Sequence, residues 1–380
     1  MNVPEGDRRV VIVGDSVAGI TALREVRALG HTGPVGLIAA DPDGCYPRPP
    51  LSKKALVDSA GDPEGWSLAD LDVDVTRSAA VRLDTERRIV HTEGGHGVYY
   101  DALVLATGAR ARRLAPEREG EFVVRTMQDS TALRDRFSSA SSVAVVGAGF
   151  LGLEVAGAAH RLGLSVTVVD TEPPLMRVLG PFLSSAVADR LRAASVDVVR
   201  ATAPVVPYGD PIEGIAVDGV AIPADVTVSC VGEVPNCEWL SGTGIADDHG
   251  VAVDEQCATA VPDVFAAGDV TFRRDADGTV RRSPFWSHAV AQAKVAAAGA
   301  LGLEPRCAPH DDYFWTEILG APVKIVGPLP PAGAPTRVDG SLADASAVLE
   351  WDHADGRRTV VAFGAKKSVG WLRRRAADDV

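Results

Sequence analysis

Short apolar runs, each cut off by glycine, set the pattern of this chain. Residues 8–40 read RRVVIVG, then VAGITALREVRALG, then PVGLIAA. A β-branched run, a glycine turn, a helix-like stretch and a second apolar run predict a βαβ unit. The same order restarts at 141–170, SSVAVVGAGFLGLEVAGAAHRLGLSVTVVD, and is more regular there. This duplication is the internal repeat of the sequence. Residues 98–108, VYYDALVLATG, predict a buried strand ending in a Thr-Gly turn, and 226–236, VTVSCVGEVPN, another strand leaving on a turn. VFAAGDV at 264–270 places an acid at a strand end. The alanine-rich segment 287–302 predicts a helix stopped by glycine. Prolines in CYPRPPLSK, 45–53, exclude a regular strand or helix interior and predict an extended loop. RRDADGTVRR, 273–282, reads as a surface hairpin or loop. From about 306 the character changes: YFWTEILGAPVKIVG, ASAVLEWDH and RTVVAFGA predict a small α+β domain.

The two glycine turns, VVIVGDSVAG at 10–19 and VAVVGAGFLG at 143–152, carry the candidate chemistry. A dinucleotide brings a pyrophosphate, which backbone N–H groups at a helix N-terminus bind well. Glycines let the backbone approach. Gly147, Gly149 and Gly152 complete G-x-G-x-x-G, and Asp170 ends the next strand. A carboxylate there accepts from both ribose hydroxyls of NAD and repels the extra phosphate of NADP, so NADH is expected. The first turn departs from this form: Gly14 and Gly19 are present, but Ser16 takes the middle place, Asp15 precedes it, and Asp41 is the candidate ribose acid. Two such units in one chain imply two dinucleotides and electron transfer between them.

Composition narrows the field. The chain has 380 residues, 46% of them hydrophobic and 23% charged, enough for two or three domains with real cores. A net charge of −13 argues against general nucleic-acid binding. The N-terminal segment MNVPEGDRRVVIVG lacks the order of a signal peptide, and no apolar run spans a bilayer, so a cytoplasmic protein off the membrane is expected. Cys45, Cys230, Cys237, Cys257 and Cys307 form no CxxC pair, disulfide framework or zinc-ligand cluster; no metal is expected.

The flanking segments CYPRPPLSK, YDALVLATGAR, VGEVPN, VFAAGDV and YFWTEILG resemble, in this order, one family. It is that of the FAD-dependent pyridine-nucleotide reductases, specifically the oxygenase-coupled ferredoxin reductases typified by the putidaredoxin, rubredoxin and biphenyl dioxygenase reductases. The resemblance covers nearly the whole chain. It implies an α/β, glutathione-reductase-like architecture with two Rossmann-like nucleotide-binding domains and a C-terminal α+β domain. The FAD domain is expected over 1–115 and 245–305, the NAD domain over 116–244, and the C-terminal domain over 306–380.

The resemblance also assigns residues. Gly14, Ser16, Gly19 and Asp41 lie along the ADP half of FAD; Arg48 and Lys53 belong to the PPLSK loop, with the lysine near the flavin ring. Thr107 and Gly108 match a turn near FAD, Asp269 the aspartate on its ribityl–pyrophosphate part, and Trp286 and Ala289 a helix entry facing the isoalloxazine. Gly147, Gly149, Gly152 and Asp170 serve NAD, Glu154 stands beside the nicotinamide, and Trp315 is an aromatic on the ferredoxin side. Pro47, where the family carries an acid, and His288 depart from its pattern, as do Asp15 and Ser16.

The implied activity is hydride transfer from NADH to FAD and release of single electrons to an iron–sulfur ferredoxin that serves a cytochrome P450 or Rieske-type oxygenase. A monomer or homodimer is expected. Relatives that work through thiols need a cysteine pair, or one cysteine where this chain has Lys53. Basic groups at Arg110, Arg112 and Arg113, at Arg273 and Arg274, at Arg281 and Arg282, and at Arg373, Arg374 and Arg375 are candidate docking patches for an acidic ferredoxin. Two other classes stay open: a flavoenzyme delivering electrons to oxygen, a quinone or a small metabolite, and a non-catalytic flavin and NADH-binding signalling protein resembling apoptosis-inducing factor.

Overall fold

A computed structural model describes residues 8–377. The polar start of the N-terminal segment and the outer ends of the expected first and last domains lie outside the described residues. The chain divides into two compact units. One comprises 8–47, 64–110 and 233–311; the other comprises 48–63, 111–232 and 312–377. Strands and helices are numbered along the chain across both.

The first unit opens with β1 (Val10–Val13), α1 (Val17–Ala28) and β2 (Val35–Ala39). With β3 (Asp74–Arg77), β7 (Ala102–Leu105) and β20 (Val264–Ala266) they form a parallel sheet of order β20-β7-β1-β2-β3. The expected βαβ unit is therefore present. β1, β2 and β7 are buried on both faces, which is why their runs are apolar without alternation. A small antiparallel sheet, β4 (Ala80–Asp84), β5 (Ile89–Thr92) and β6 (Gly97–Tyr99), precedes β7. The segment read as one strand over 98–108 is thus two strands in different sheets. The break falls at Tyr100 and Asp101, where Asp101 accepts the Arg9 N–H through Oδ2 at 2.8 Å and turns the chain.

The same unit holds β8 (Ala109–Ala111) against β17 (Glu233–Pro235) and a four-stranded sheet of β18 (Ala246–Asp247), β19 (Gly250–Ala252), β21 (Thr271–Arg274) and β22 (Val280–Arg281). β21 and β22 make the expected hairpin of 273–282. The alanine-rich segment is helix α6 (Trp286–Ala300), which packs its small side chains against α1 over the sheet.

The second unit repeats the first motif. β9 (Glu121–Phe122), β10 (Ser142–Val146), β11 (Ser165–Asp170), β12 (Asp197–Arg200) and β16 (Val226–Ser229) form a parallel sheet of order β12-β11-β10-β16-β9. Helix α3 (Met127–Phe137) precedes β10, α4 (Phe150–Arg161) joins β10 to β11, and α5 (Met176–Ala193) joins β11 to β12. An antiparallel flap of β13 (Val206–Gly209), β14 (Ile212–Val217) and β15 (Val220–Pro223) precedes β16. The run at 226–236 therefore splits into β16 and β17.

The proline-rich segment is not fully extended. Pro49–Ser52 form a 3-10 turn, followed by α2 (Lys54–Val57). Proline is tolerated in a helical first turn because its missing N–H would have no partner there. The unit ends in an antiparallel sheet of order β23-β24-β27-β26-β25, built from β23 (Tyr313–Ile318), β24 (Ala321–Val326), β25 (Arg337–Asp339), β26 (Ala347–Asp352) and β27 (Arg358–Phe363). Helix α7 (Val369–Ala377) buries Leu372 against Val326, Val360 and Ala362 of that sheet.

Candidate nucleotide and electron-transfer sites

The two glycine turns have the same internal geometry. Gly14 N–H donates to the Ile38 carbonyl at 2.9 Å, and Gly147 N–H to the Val169 carbonyl at 2.7 Å. Their φ values are +116° and +111°, where L side chains are strained. A Cβ would fall 2.1 Å from the Ala106 carbonyl oxygen in the first turn and 2.2 Å from that of Cys230 in the second. At Gly19 and Gly152 a Cβ would fall 1.8 Å from the carbonyl oxygens of Gly14 and Gly147. The first and third glycines are thus required by the protein's own packing.

The middle position differs. A Cβ at Gly149 would meet nothing within 4 Å. Ser16 holds the same place in the first turn, with φ −92° and ψ −167° against −76° and −174° for Gly149. Both residues start their helix without a side-chain cap, and neither first turn holds an acid, whereas α3 carries a complete capping box of Thr126 and Asp129. The first N–H groups of α1 and α4 are therefore not taken by side-chain caps, and the open space beside Gly149 leaves room for an anion at the start of α4. A pyrophosphate suits both turns.

The two candidate ribose acids are not equivalent. Asp170 ends β11, accepting the Ala148 N–H through Oδ2 at 2.7 Å and the Glu172 N–H through Oδ1 at 3.2 Å. Register on Ile38 and Val169 makes Ala39 the counterpart of Asp170. Asp41 lies two residues further on and accepts from Tyr46 Oη at 2.8 Å and from the Asp43 N–H at 3.1 Å. Beyond Asp170, Glu172 pairs with Arg177 at 2.9 Å.

Several partners in the first unit were not evident in the sequence. Thr107 Oγ1 donates to the Asn236 carbonyl at 2.7 Å, and Asn236 Nδ2 donates back to the Thr107 carbonyl at 3.0 Å. Asn236 N–H also donates to the Gly108 carbonyl at 2.9 Å, so VGEVPN clamps the Thr-Gly turn. Gln292 of α6 is buried and accepts the Gly268 N–H at 2.9 Å and Thr271 Oγ1 at 3.1 Å, fixing the turn that carries Asp269. A Cβ on Gly268 would lie 3.0 Å from Ala18 Cβ and 3.6 Å from Ala289 Cβ, so this turn, α1 and α6 meet closely. Trp286 at the start of α6 contacts Trp66, ring centroids 5.9 Å apart.

Arg48 and Lys53 fall in the second unit. Arg48 Nη1 donates to the Arg125 carbonyl. The 3-10 turn ends at Lys53, whose φ of −121° and ψ of −106° separate it from α2. That break lets Ser52 and Lys53, neighbours in sequence, reach one acceptor. The acceptor is Glu154, on the second turn of α4 with 8% of its side chain exposed. Lys53 Nζ lies 2.9 Å from Glu154 Oε2 and donates to the Pro49 carbonyl at 3.0 Å. Ser52 Oγ donates to the same Oε2 at 2.5 Å, and Thr316 Oγ1 of β23 donates to Oε1 at 2.6 Å. Two of the candidate residues, Lys53 and Glu154, are thus joined directly, and a buried carboxylate is offset by one cation and two hydroxyls.

Along β23, side chains alternate faces. Phe314 packs on Phe150 of α4, ring centroids 4.2 Å apart, and Thr316 reaches Glu154. Trp315 is half-buried on the opposite face, stacked with Tyr313 at 5.7 Å and paired across the sheet with Lys324.

All five cysteines are free. Burial pushes the thiols of Cys230 and Cys257 up to about 12 and that of Cys45 up to about 11. Burial also raises Cys237 and Cys307. None is poised as the thiolate that thiol–disulfide chemistry requires. Among the described residues, no group of three or more His, Cys, Asp or Glu is arranged to hold a metal, and no helix is long and apolar enough to cross a membrane.

Most of the candidate docking arginines are engaged. Arg110 pairs with Glu238, Arg273 with Glu255, Arg274 with Asp247, Arg281 with Asp275 and Arg282 with Glu233. At α7, Arg375 pairs with Glu350, while Arg374 and Lys366 are exposed and have no acid within ion-pair distance among the described residues.

Two matching glycine turns on parallel sheets that share the order of four strands, β7-β1-β2-β3 and β16-β10-β11-β12, define a class. Residues 8–293 match the pyridine nucleotide-disulphide oxidoreductase family, and the chain belongs to it. It is an oxidoreductase of the flavin and pyridine-nucleotide class. The chain is 34% identical over 330 residues to the biphenyl dioxygenase system ferredoxin–NAD(+) reductase component of Paraburkholderia xenovorans, covering 84% of this chain and 80% of that one. It is 33% identical to the benzene 1,2-dioxygenase system ferredoxin–NAD(+) reductase subunit of Pseudomonas putida, covering 96% and 91%. Among solved structures it superposes on the ferredoxin reductase of the CYP199A2 system from Rhodopseudomonas palustris with a TM-score of 0.84 and 30% identity, covering 98% of each chain. The glutathione-reductase-like α/β architecture expected from the sequence is the one found.

Proposed function

We propose that this protein oxidises NADH through FAD and hands electrons singly to an iron–sulfur ferredoxin that serves a cytochrome P450 or Rieske-type oxygenase. The observation that carries this reading is the pair of glycine turns, each packed shut at its first and third glycines, with open space beside Gly149 in the second. Relatives named as ferredoxin–NAD(+) reductases of dioxygenase systems support the acceptor. The raised thiols favour direct release over a cysteine relay.

In this reading Gly14, Ser16, Gly19 and Asp41, with Thr107, Gly108, Asp269, Trp286 and Ala289, hold FAD, together with Arg48 and Lys53. Gly147, Gly149, Gly152 and Asp170 hold NADH. The FAD domain comprises 1–115 and 245–305, the NAD domain 116–244 and the C-terminal domain 306–380. When bound, FAD accepts a hydride from NADH and releases electrons one at a time. The protein supplies placement and electrostatics. Lys53 brings a cation whose position is fixed by Pro49 and Glu154, and Glu154 keeps the pair neutral overall. Asp170 selects NADH over NADPH by its charge. Trp315 marks the side on which the ferredoxin docks, and the exposed cations Lys366 and Arg374 supply complementary charge there. Five unpaired cysteines suit a cytoplasmic location.

The test is anaerobic. Purified holoprotein is mixed with NADH or NADPH, flavin bleaching is followed, and candidate ferredoxins are then added. NADH should bleach the flavin faster than NADPH, and ferredoxin should restore the colour by single-electron steps. Rapid NADH consumption in air with no ferredoxin would point to a small-molecule acceptor, and a long-lived charge-transfer complex with poor turnover to a signalling role. Lys366→Glu with Arg374→Glu should slow ferredoxin reduction and leave NADH-driven bleaching unchanged; equal loss of both rates would remove the docking face.

A further inference from the structure

Glu154 is held by more than its lysine. The hydroxyls of Ser52 and Thr316 donate one to each carboxylate oxygen, from segments 102 residues upstream and 162 residues downstream. Both hydroxyl residues are buried, as is Glu154. A carboxylate with donors on both oxygens cannot swing about its terminal torsion without breaking one of them. Lys53 Nζ follows that carboxylate, because Glu154 Oε2 and the Pro49 carbonyl are its two acceptors. The Phe314–Phe150 contact packs β23 closely against α4. The half-buried Cys230 lies near the same carboxylate, and its raised thiol adds no charge. The charged pair Arg161–Glu317 lies further along α4 and β23.

We propose that Ser52 and Thr316 are positioning residues for hydride transfer: they fix the Glu154 carboxylate, and through it the Lys53 ammonium, in one geometry before the coenzyme arrives. This rests on the reading that Lys53 and Glu154 serve the NADH-to-FAD step. Misplacement of a fixed group by about 1 Å can cost on the order of a hundredfold in rate. Neither hydroxyl is required to touch the coenzyme, so binding changes little while the chemical step slows.

The test compares Thr316→Val, Thr316→Ser and Ser52→Ala with the parent holoprotein. Thr316→Val should lower the limiting rate of NADH-driven flavin bleaching roughly 10- to 100-fold, while NAD+ affinity by calorimetry stays within about threefold. Thr316→Ser should recover most of the rate. Acetylation of Lys53 by acetic anhydride, read by mass spectrometry on protein stripped of cofactor, should run severalfold faster in Thr316→Val and at the parental rate in Thr316→Ser. Equal impairment of the Ser and Val variants would overturn the proposal in favour of methyl packing, and parallel loss of affinity and rate would make the role merely structural. Glu154→Gln and Lys53→Gln separate the layers. If they leave bleaching at the parental rate, the reading of the pair fails; if they slow it and Thr316→Val does not, only the positioning role fails.

Discussion

Replacement of Gly149 by alanine separates nucleotide binding from folding. The added methyl meets no protein atom within 4 Å, and the φ of −76° is open to any residue. Ser16 already carries a Cβ at the matching place of the first turn. Glycine is a better N-cap than alanine, which costs up to about 1 kcal/mol, but the alanine chain loses less freedom on folding, which returns about 0.4–1 kcal/mol. The net change is near zero, and the melting temperature should move by no more than about 3 °C. In the function proposed above, the methyl would stand where the pyrophosphate of NADH approaches the start of α4. A hydrogen bond to a charged group contributes about 1.5–3 kcal/mol, so loss of one raises the NAD+ Kd roughly 10- to 150-fold. Gly152→Ala is the contrast: its methyl would lie 1.8 Å from the Gly147 carbonyl oxygen, and the protein should lose about 4 kcal/mol or more, or fail to fold. Thermal melts and calorimetry with NAD+ read both quantities. Parental NAD+ affinity in Gly149→Ala would show that the open space is not the nucleotide's, and a melt as poor as that of Gly152→Ala would show that it is not open.

Three further outcomes follow from the geometry. Lys53→Gln alone should destabilise the protein by roughly 3 kcal/mol, since it strips the cation from a buried carboxylate, and Lys53→Gln with Glu154→Gln should recover most of that in urea melts without restoring flavin bleaching; a double variant no more stable than the single one would refute the coupling. Asp170→Asn keeps an acceptor for Ala148 N–H and removes the charge, so the NADH-to-NADPH preference in kcat/KM should fall about tenfold or more, and an unchanged ratio would clear Asp170 of that role. Partial burial raises the Asp263 carboxyl, but Arg88 and Arg8 outweigh it and hold the pKa below its ordinary 3.8. A depressed carboxyl stabilises the fold above its unfolded pKa and loses that contribution as pH falls through the folded value. Asp263→Asn should therefore cost about 1 kcal/mol near pH 7, and the gap to the parent should close as acid protonates the depressed carboxyl; a gap independent of pH would contradict the assignment.

The sequence by itself determined what depends on neighbours along the chain. Glycine spacing at 14–19 and 147–152 gave the two turns, because the first and third glycines answer contacts within one βαβ unit and its adjoining strand. Apolar runs gave the parallel strands, and alanine density gave α6. Local reading failed where distant partners decide. The strand expected over 98–108 is broken by Asp101 turning to Arg9, and the proline-rich loop closes into a 3-10 turn whose end points two side chains at Glu154. Asp41 is offset from its expected equivalence with Asp170, which only strand register reveals. Arginine clusters that look like free charge in the sequence are mostly paired with acids brought close by the fold. Ser52, Thr316, Asn236 and Gln292 carried no signal as isolated polar residues. Their roles arise from hydrogen bonds whose partners lie far along the chain or on other elements, and only tertiary packing brings such groups within 3 Å or so of one another.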